Sequence, residues 1–407
     1  MKGALAWPFL RLYLLTLLYF SANSILNVYI PLKGDSLGAS NTEIGIIMGA
    51  YLFTTMFFRP WAGFIIQRTG PVMVLRAIIA INGLALLLYT FTGMEGYFFA
   101  RVLQGGCTAF FSMALQLGII DALPDKERSQ GISLYSLFAT IPNIIGPLIA
   151  IGIWKSGEMN IFASTMITIV IFTTIAGYSI RIDHSKALAP GPDLQRQSFL
   201  QSFSKLYKNP DLFRCSLLML IASLVFGAMS TFIPLYAAEI PDSNAAIYLS
   251  IQACTLVAAR FFLRKKIPSN GKWPSAYVMM LMLFITISSL SISLSGYVWG
   301  GLVLFYFSSC LLGIAQALLY PTLTTYLSFV LPQQGRNVLL GLFIATADLG
   351  VSMGGAIMGP LADLTSYSVM YLICAILAVV TTALAYDRRE IGQPRNSKSE
   401  DSSADRL

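Results

Sequence analysis

Residues 211–238 read DLFRCSLLMLIASLVFGAMSTFIPLYAA, and this stretch decides the class of fold. It is almost wholly apolar and longer than the roughly 20 residues that a helix needs to cross a lipid bilayer. Its Ile233-Pro234-Leu235 repeats Ile30-Pro31-Leu32, which lies near the end of a similar apolar stretch at residues 8–32. The stretch predicts a membrane-spanning helix, and the repeat indicates that the chain contains a related copy of it.

Twelve such stretches occur along the chain, which predicts an all-α membrane protein. They cover residues 8–32, 43–66, 71–92, 95–120, 129–154, 160–181, 211–238, 244–264, 274–295, 297–328, 336–361 and 367–386. We number these predicted spans from 1 to 12. Only 11% of the 407 residues are charged and 56% are hydrophobic. This composition excludes a soluble globular protein, in which about 25% of residues are charged, and it also excludes a disordered chain.

A single long polar break divides the twelve spans into six and six. It covers residues 182–210, a predicted cytoplasmic loop that also contains a short amphipathic helix. Shifting the chain by 208 residues places Gly105 on Gly313 and Gly146 on Gly354. We therefore expect two pseudo-symmetric six-helix bundles, at residues 1–181 and 211–387, followed by a disordered cytoplasmic tail at residues 388–407. Coincidence among apolar helices is the alternative explanation of the repeat.

The distribution of basic residues predicts the orientation. With both termini in the cytoplasm, the external loops contain only two lysines, Lys33 and Lys155. Cytoplasmic loops of membrane proteins are enriched in Lys and Arg, so we expect a multi-pass protein of the cytoplasmic membrane with both termini inside. The net charge of +8 then reflects this topology, and nucleic acid is not an expected partner.

Three short motifs resemble those of the major facilitator superfamily. Residues 63–70, GFIIQRTG, are similar to its cytoplasmic gate motif Gly-x-x-x-Asp-Arg-x-Gly, with Gly63, Arg68 and Gly70 at matching positions. Gln67 stands where the motif has an acid, so the charge-dependent lock of that gate is in question. The resemblance covers all twelve spans and the central break, and it implies the superfamily's fold of two six-helix bundles.

Spans 4 and 5 carry the other two motifs. The sequence RVLQG at residues 101–105, which contains Arg101, Gln104 and Gly105, is similar to the Arg-x-x-Gln-Gly motif that the superfamily links with proton coupling. Gly146-Pro147 is similar to the Gly-Pro motif of drug–proton antiporters, although Pro142 replaces its leading small residue. Together the motifs imply a secondary active transporter, and the Gly-Pro motif implies export.

Longer stretches resemble bacterial exporters of opine-type metallophores. They include FSANSILNVYIPL at residues 20–32, CTAFFSMALQLGIIDALP at residues 107–124 and YPTLTTYLSFVLP at residues 320–332. This resemblance implies export of a metal-free, anionic, nicotianamine-like chelator by proton antiport and alternating access. The residues alone lead only to a secondary transporter. The alternatives are a broad-specificity drug–proton antiporter, an importer with the same fold, and a non-transporting membrane sensor or scaffold.

Three ionisable side chains inside the predicted spans are the candidates for proton coupling, because a charge within the bilayer is costly and marks function. Asp348 lies near the middle of span 11, where a carboxyl group can bind and release a proton. Arg59 of span 2 lies about 6 Å nearer to the cytoplasmic end, an offset that a long guanidinium side chain can cover. The resemblance to the major facilitator superfamily implies that spans 2 and 11 face each other, so we predict that Arg59 pairs with Asp348. Arg101 of span 4 is also a candidate for bidentate binding of a substrate carboxylate. The alternatives are a permanent structural pairing of Asp348 and a structural salt bridge at Arg101.

Polar side chains recur at helical spacing on spans 1, 4 and 10, so that each group lies on one helix face. The resemblance implies that these spans line a central cavity. A wet cavity requires such faces, because lipid-facing amides are costly. Hydrogen bonding between helices is the alternative. The candidates for substrate binding, besides Arg101, are Asn23, Asn27, Gln104, Thr108, Gln116, Tyr306, Gln316 and Tyr320.

Signatures of metal, nucleotide and hydrolytic chemistry are missing from the sequence. The one histidine, His184, lies in the central loop, and no cluster has metal-ligand spacing. The phosphate-binding motif GxxxxGKS/T does not occur, so ATP is not the expected energy source. We therefore expect no enzyme, no catalytic residues, no metal site and no cofactor. The expected partners are a small anionic chelator, protons and the lipid bilayer, and the chain is expected to be a monomer.

Overall fold

The computed structural model describes residues 6–123, 125–180, 209–263, 266–268, 271–332 and 336–386. Its helices are α1 (Trp7–Ser36), α2 (Asn41–Thr69), α3 (Pro71–Phe91), α4 (Met94–Ala122), α5 (Asp125–Thr140), α6 (Pro142–Ser156), α7 (Met159–Tyr178), α8 (Pro210–Tyr236), α9 (Ala245–Leu263), α10 (Ser275–Ser295), α11 (Gly301–Val330), α12 (Arg336–Leu364) and α13 (Tyr367–Ala385). A 3-10 turn, Ala237–Glu239, follows α8. The described residues contain no β-strand, which confirms the all-α class. Most of the predicted central loop and the whole predicted tail lie outside these residues.

Eleven helical segments of the described chain are long and apolar enough to cross a membrane. One of them, Leu134–Ser156, combines parts of α5 and α6. The remaining predicted span is α2. It has 29 residues, which gives a length of about 43 Å. It also contains two charged side chains, Arg59 and Arg68. The helices thus match the twelve predicted spans.

Span 5, predicted as one helix over residues 129–154, is two helices in the structure. The first, α5, ends at Thr140, and α6 begins at Pro142. Proline has no backbone N–H and is suited to the first position of a helix, where no intrahelical bond is needed. Pro142 therefore explains a break that the apolar pattern alone does not show.

We call α1–α7 the first helix set and α8–α13 the second helix set. They meet mainly where α2 packs on α12 and where α6 packs on α9. The α2–α12 contact depends on glycine: the carbonyl of Gly355 leaves no room for a Cβ on Gly45, and a Cβ on Gly49 would lie 2.6 Å from the Ser352 oxygen. Small residues let two helix backbones approach closely, so this seam is tightly closed.

Polar contacts join α2 and α12 at the end of the bundle that the charge distribution predicts to be external. Asp363 accepts hydrogen bonds from the backbone N–H groups of Asn41, at 2.9 Å, and Thr42, at 2.8 Å. The Thr42 hydroxyl donates to the same carboxylate, at 2.5 Å, and the Tyr367 hydroxyl donates to the Asn41 side-chain oxygen at 2.6 Å. The two helix sets are therefore held together at this end.

The outer surface of the bundle exposes large apolar side chains. Examples are Phe91, Phe99, Phe172, Ile175, Phe262, Val303 and Val380. A water-soluble protein exposes few contiguous patches of this kind, whereas lipid tails solvate them. The surface therefore suits a bilayer.

Candidate substrate and proton-coupling site

Arg101 of α4 is completely buried, with 0% of its surface exposed, and two amide side chains of α1 hold it. Its Nη1 donates to the side-chain oxygen of Asn23 at 2.7 Å, and its Nη2 donates to that of Asn27 at 2.9 Å. The two asparagines are four residues apart and therefore lie on one face of α1. The structure thus brings three of the predicted substrate-binding residues into contact.

The remaining neighbours of Arg101 are also uncharged. Nη1 lies 3.4 Å from the Gln104 side-chain oxygen, and Nη2 lies 3.4 Å from the Met48 sulfur. The guanidinium carbon lies 5.3 Å from the centre of the Tyr51 ring, and Nε has no hydrogen-bond partner. No carboxylate pairs with Arg101 among the described residues, so the alternative of a structural salt bridge is wrong there. We call these residues the Arg101 layer.

A hydroxyl network extends the Arg101 layer along α4. The Thr108 hydroxyl lies 3.0 Å from the Tyr19 hydroxyl and 2.9 Å from that of Tyr51. Tyr89 donates to the Gln104 side-chain oxygen at 3.1 Å. Tyr19, Tyr51 and Tyr89 are not among the site residues predicted from the sequence. A signal existed for Tyr19, which lies one turn before Asn23 on the same face of α1.

Asp348 of α12 forms an ion pair with Arg59 of α2, as the depth argument predicts. The Arg59 Nε lies 2.6 Å from the Asp348 Oδ2. The exposed fractions of the two side chains are 27% and 15%, although both lie in the middle part of long helices. The pair therefore connects the two helix sets at a point where part of each side chain is exposed.

Tyrosine and amide side chains surround this ion pair. Tyr320 of α11 interacts electrostatically with both Arg59 and Asp348, and Gln116 of α4 hydrogen-bonds Tyr135 of α5, which in turn lies near Arg59. We define the Asp348 layer as this ion pair and the polar side chains around it. Its residues are Arg59, Asp348, Tyr320, Tyr135, Gln116 and Arg260. Tyr51 precedes Arg59 by eight residues on α2, so the two layers are about 12 Å apart along the helices.

Comparison with known families decides what kind of protein carries these layers. The model of the Major Facilitator Superfamily matches residues 12–307 and 278–406. The chain belongs to the major facilitator superfamily. This match confirms the family and the fold that the sequence predicts.

Relatives and solved structures of this superfamily agree with the assignment. The chain is 53% identical over 403 residues to a Staphylococcus aureus (strain Mu50 / ATCC 700699) protein named staphylopine export protein, covering 98% of this chain and 100% of the relative. An uncharacterized MFS-type transporter of Burkholderia pseudomallei (strain 1106a) is 23% identical, covering 86% of this chain and 84% of the relative. These relatives confirm a transporter and not an enzyme.

Two solved structures share the fold. The nucleoside transporter NupG has a TM-score of 0.71 at 15% identity, covering 93% of this chain and 98% of that chain. A bacterial homolog of the human lysosomal transporter Spinster, in an inward-facing and occupied conformation, has a TM-score of 0.73 at 12% identity, covering 95% and 97%. At these identities the likeness concerns the fold alone.

The gate motif of this superfamily member is placed at the end of α2. Gly70 has a φ of 84° between α2 and α3, a left-handed conformation that favours glycine. Arg68 is exposed, and a Cβ on Gly63 would contact nothing within 4 Å. The side chain of Gln67 is not among those described. The motif therefore supplies a tight turn here, and its charge-dependent lock stays untested.

The Gly-Pro motif brings α6 against α1. Ser24 leaves no room for a Cβ on Gly146, and the Ser24 hydroxyl donates to the carbonyl of Pro142 at 2.9 Å. Pro147 is buried within α6. Both motif residues therefore lie within the first helix set and contribute to the close packing of its helices.

Two of the predicted binding residues make hydrogen bonds between α11 and α9. The Tyr306 hydroxyl accepts from the backbone N–H of Asn244 at 3.0 Å, and the Gln316 side-chain oxygen accepts from Gln252 at 3.0 Å. The described hydrogen bonds do not connect either residue to Arg101 or Asp348. The predicted helix face is present, but these two side chains serve contacts between helices in this conformation.

Arg101, Gln104 and Thr108 are buried in this conformation, so their role in lining a cavity stays a prediction. The Arg101 guanidinium is shielded, although Asn23 and Asn27 beside it are partly exposed, as is the Arg59–Asp348 pair. Within the described residues, no group of three or more His, Cys, Asp or Glu side chains could hold a metal ion; His184 lies outside them.

Proposed function

We propose that this transporter exports a staphylopine-like, opine-type metallophore in its metal-free form across the cytoplasmic membrane, by proton antiport and alternating access. The observation that carries the proposal is the 53% identity to the staphylopine export protein over 98% of the chain. The chemistry of the Arg101 layer supports it independently. A completely buried cation without an acidic partner is costly, and a carboxylate-rich ligand would supply the missing anion.

Arg101 has the geometry to accept such a ligand. Its Nε is without a hydrogen-bond partner, and its Nη atoms are bound to neutral amide oxygens. A carboxylate could accept from Nε and from one Nη after displacing an amide, because a guanidinium and a carboxylate match as a two-bond pair. Asn23, Asn27 and Gln104 then hold the guanidinium in place until the anion arrives.

The direction of access follows from the predicted orientation. With both termini in the cytoplasm, the contacts of Asp363 with Asn41 and Thr42 close the external end. The partly exposed Asp348 layer then faces the cytoplasm. This arrangement corresponds to an inward-facing state in which the Arg101 guanidinium is shielded, and an inward-facing state is the one that an exporter needs in order to receive its substrate.

Asp348 is the proposed proton carrier. Protonation would neutralise the carboxylate and remove its ion pair with Arg59, and so weaken a contact that joins α2 to α12. Proton binding would thereby be coupled to separation of the helix sets. Asp348 and Arg59 are accordingly the proposed coupling pair, and Arg101 contributes through the charge of the bound substrate.

Uptake into inverted membrane vesicles tests the proposal. Vesicles from cells that express the chain should take up staphylopine when their interior is acid, and nigericin, which collapses the pH gradient, should stop the uptake. Vesicles without the protein provide the control. An absence of staphylopine uptake, accompanied by pH-dependent uptake of ethidium, would replace the proposal with drug–proton antiport.

A further inference from the structure

Arg260 of α9 lies between the two helix sets, and among the described residues one side chain hydrogen-bonds it. Its Nη1 donates to the Ser136 hydroxyl of α5 at 3.3 Å, and its Nε is buried without a hydrogen-bond partner. Tyr320 lies close enough to interact with it electrostatically. Because its contacts reach α5 and α11, the guanidinium points into the bundle and away from lipid.

Among the described residues, no acidic side chain compensates the charge at Arg260. Arg59 of the first helix set has Asp348 as an ionic partner, whereas Arg260 has a hydroxyl group instead. No carboxylate lies within ion-pair distance of Arg260 among the described residues. The two layers together contain three arginines and one aspartate, which leaves a net charge of +2. Such a charge within a bilayer is expensive unless an anion joins it.

Access distinguishes the two unpaired arginines. Arg101 has no exposed surface, whereas Arg260 is partly exposed, as are Arg59 and Asp348 of the same layer. The layers are about 12 Å apart along the helices. An anion that enters from the side of the Asp348 layer therefore reaches Arg260 before Arg101.

We propose that Arg260 binds one carboxylate of the transported chelator and selects substrates that carry more than one carboxylate. The inference rests on the proposed function. In the state described here, Arg260 receives the first carboxylate from the accessible side. A second carboxylate is left for Arg101 when the inner layer opens. A ligand with a single carboxylate can satisfy only one of the two cations and is therefore selected against.

Two substitutions separate binding from packing. Arg260→Gln removes the charge, whereas Ser136→Ala removes only the hydroxyl that Arg260 contacts. Arg260→Lys keeps the charge without the planar fork. Each variant is purified, checked for monodispersity and thermal unfolding, and reconstituted into liposomes. The probes are staphylopine and staphylopine analogues in which each carboxylate in turn is converted to a primary amide.

The expected result is a change in KM that depends on the probe. Arg260→Gln should raise the KM for staphylopine roughly tenfold or more, because a hydrogen bond between charged groups is lost, with little change in kcat. Arg260→Lys should have a smaller effect, and Ser136→Ala should stay near wild type. For one of the amide analogues, wild type and Arg260→Gln should differ little, since the anion that Arg260 binds is already gone.

Three results would overturn the inference. Equal losses in Ser136→Ala and Arg260→Gln would show that Arg260 serves packing. A full effect of Arg260→Gln with every analogue would show that it binds no carboxylate. If Arg260→Gln does not fold, the same change in KM in Arg260→Lys for staphylopine and for every amide analogue leads to the same conclusion. Wild-type protein that does not transport staphylopine would instead reject the proposed function, and the inference with it.

Discussion

The Arg59 Nε and the Asp348 Oδ2 are 2.6 Å apart, and this contact joins α2 of the first helix set to α12 of the second. The pair lies beyond the closely packed glycines of the same two helices, on the side of the partly exposed layer. This contact is strong when Asp348 is charged and weak when it is protonated, because Arg59 keeps its positive charge in both cases. The pair can therefore convert a protonation event into a change in helix packing.

Replacing Asp348 by Asn should abolish transport driven by a pH gradient. Asn keeps the size of the side chain and can still accept a hydrogen bond from Arg59, but it cannot bind a proton. Exchange of external for internal staphylopine without a pH gradient should persist, because this exchange needs no proton step. Both are measured in liposomes, and Asp35→Asn, at an exposed position, serves as the control. Wild-type gradient-driven transport in Asp348→Asn would remove Asp348 from the coupling mechanism.

Replacing Arg101 by Ala should lower kcat/KM for staphylopine by about 30-fold or more, the range found when one partner of a buried charged pair is truncated. Arg101→Lys should recover little of the lost kcat/KM, since an ammonium group cannot contact Asn23 and Asn27 together in the same geometry. Arg11→Ala, at an exposed position of α1, is the matched control. Unchanged transport of purified staphylopine by Arg101→Ala would exclude Arg101 from binding.

The sequence predicted the residues that depend on a position along one helix. Asn23 and Asn27 fall on one face of α1 because they are four residues apart, and the depths of Arg59 and Asp348 follow from a rise of about 1.5 Å per residue. These quantities require no knowledge of tertiary packing. The shared face of Asn23 and Asn27 could therefore be predicted from the sequence, and so could the Arg59–Asp348 pair once the family resemblance implied that their helices face each other. The amide contacts of Arg101 could not.

Residues whose role depends on the partner helix could not be predicted in the same way. Helical spacing places Tyr306 and Gln316 on a polar face of α11. It does not say that this face contacts Gln252 of α9 and Asn244, the residue just before α9. The partner of Arg260 likewise depends on how α9 meets α5. Periodicity identifies a face, whereas only packing identifies what the face contacts.

Replacing Gly355 by Val should shift the protein toward a state that is open at the predicted external end. A Cβ at this position would lie 2.6 Å from the Gly45 carbonyl oxygen, and overpacking of this kind costs about 1–3 kcal/mol. Spin labels at Leu37 and Leu364, both exposed, should move apart in a background without the five native cysteines. Gly341→Val in the same helix is the control, because a Cβ there would contact nothing within 4 Å. Equal distances in both variants would show that the glycines do not restrict opening.

Replacing Asp363 by Ala should loosen the same end by removing its polar contacts. The carboxylate accepts three hydrogen bonds from Asn41 and Thr42, and loss of such bonds costs about 1–3 kcal/mol, or roughly tenfold or more in the population of the open state. A cysteine at Ser352, which is buried against Gly49, should then react faster with a membrane-impermeant maleimide added from outside the cell. Glu158→Ala, at an exposed position, controls for the loss of an external acid. Labelling that is unchanged in Asp363→Ala would show that the glycine contacts alone keep this end closed, whereas labelling only from the cytoplasmic side would reverse the predicted orientation.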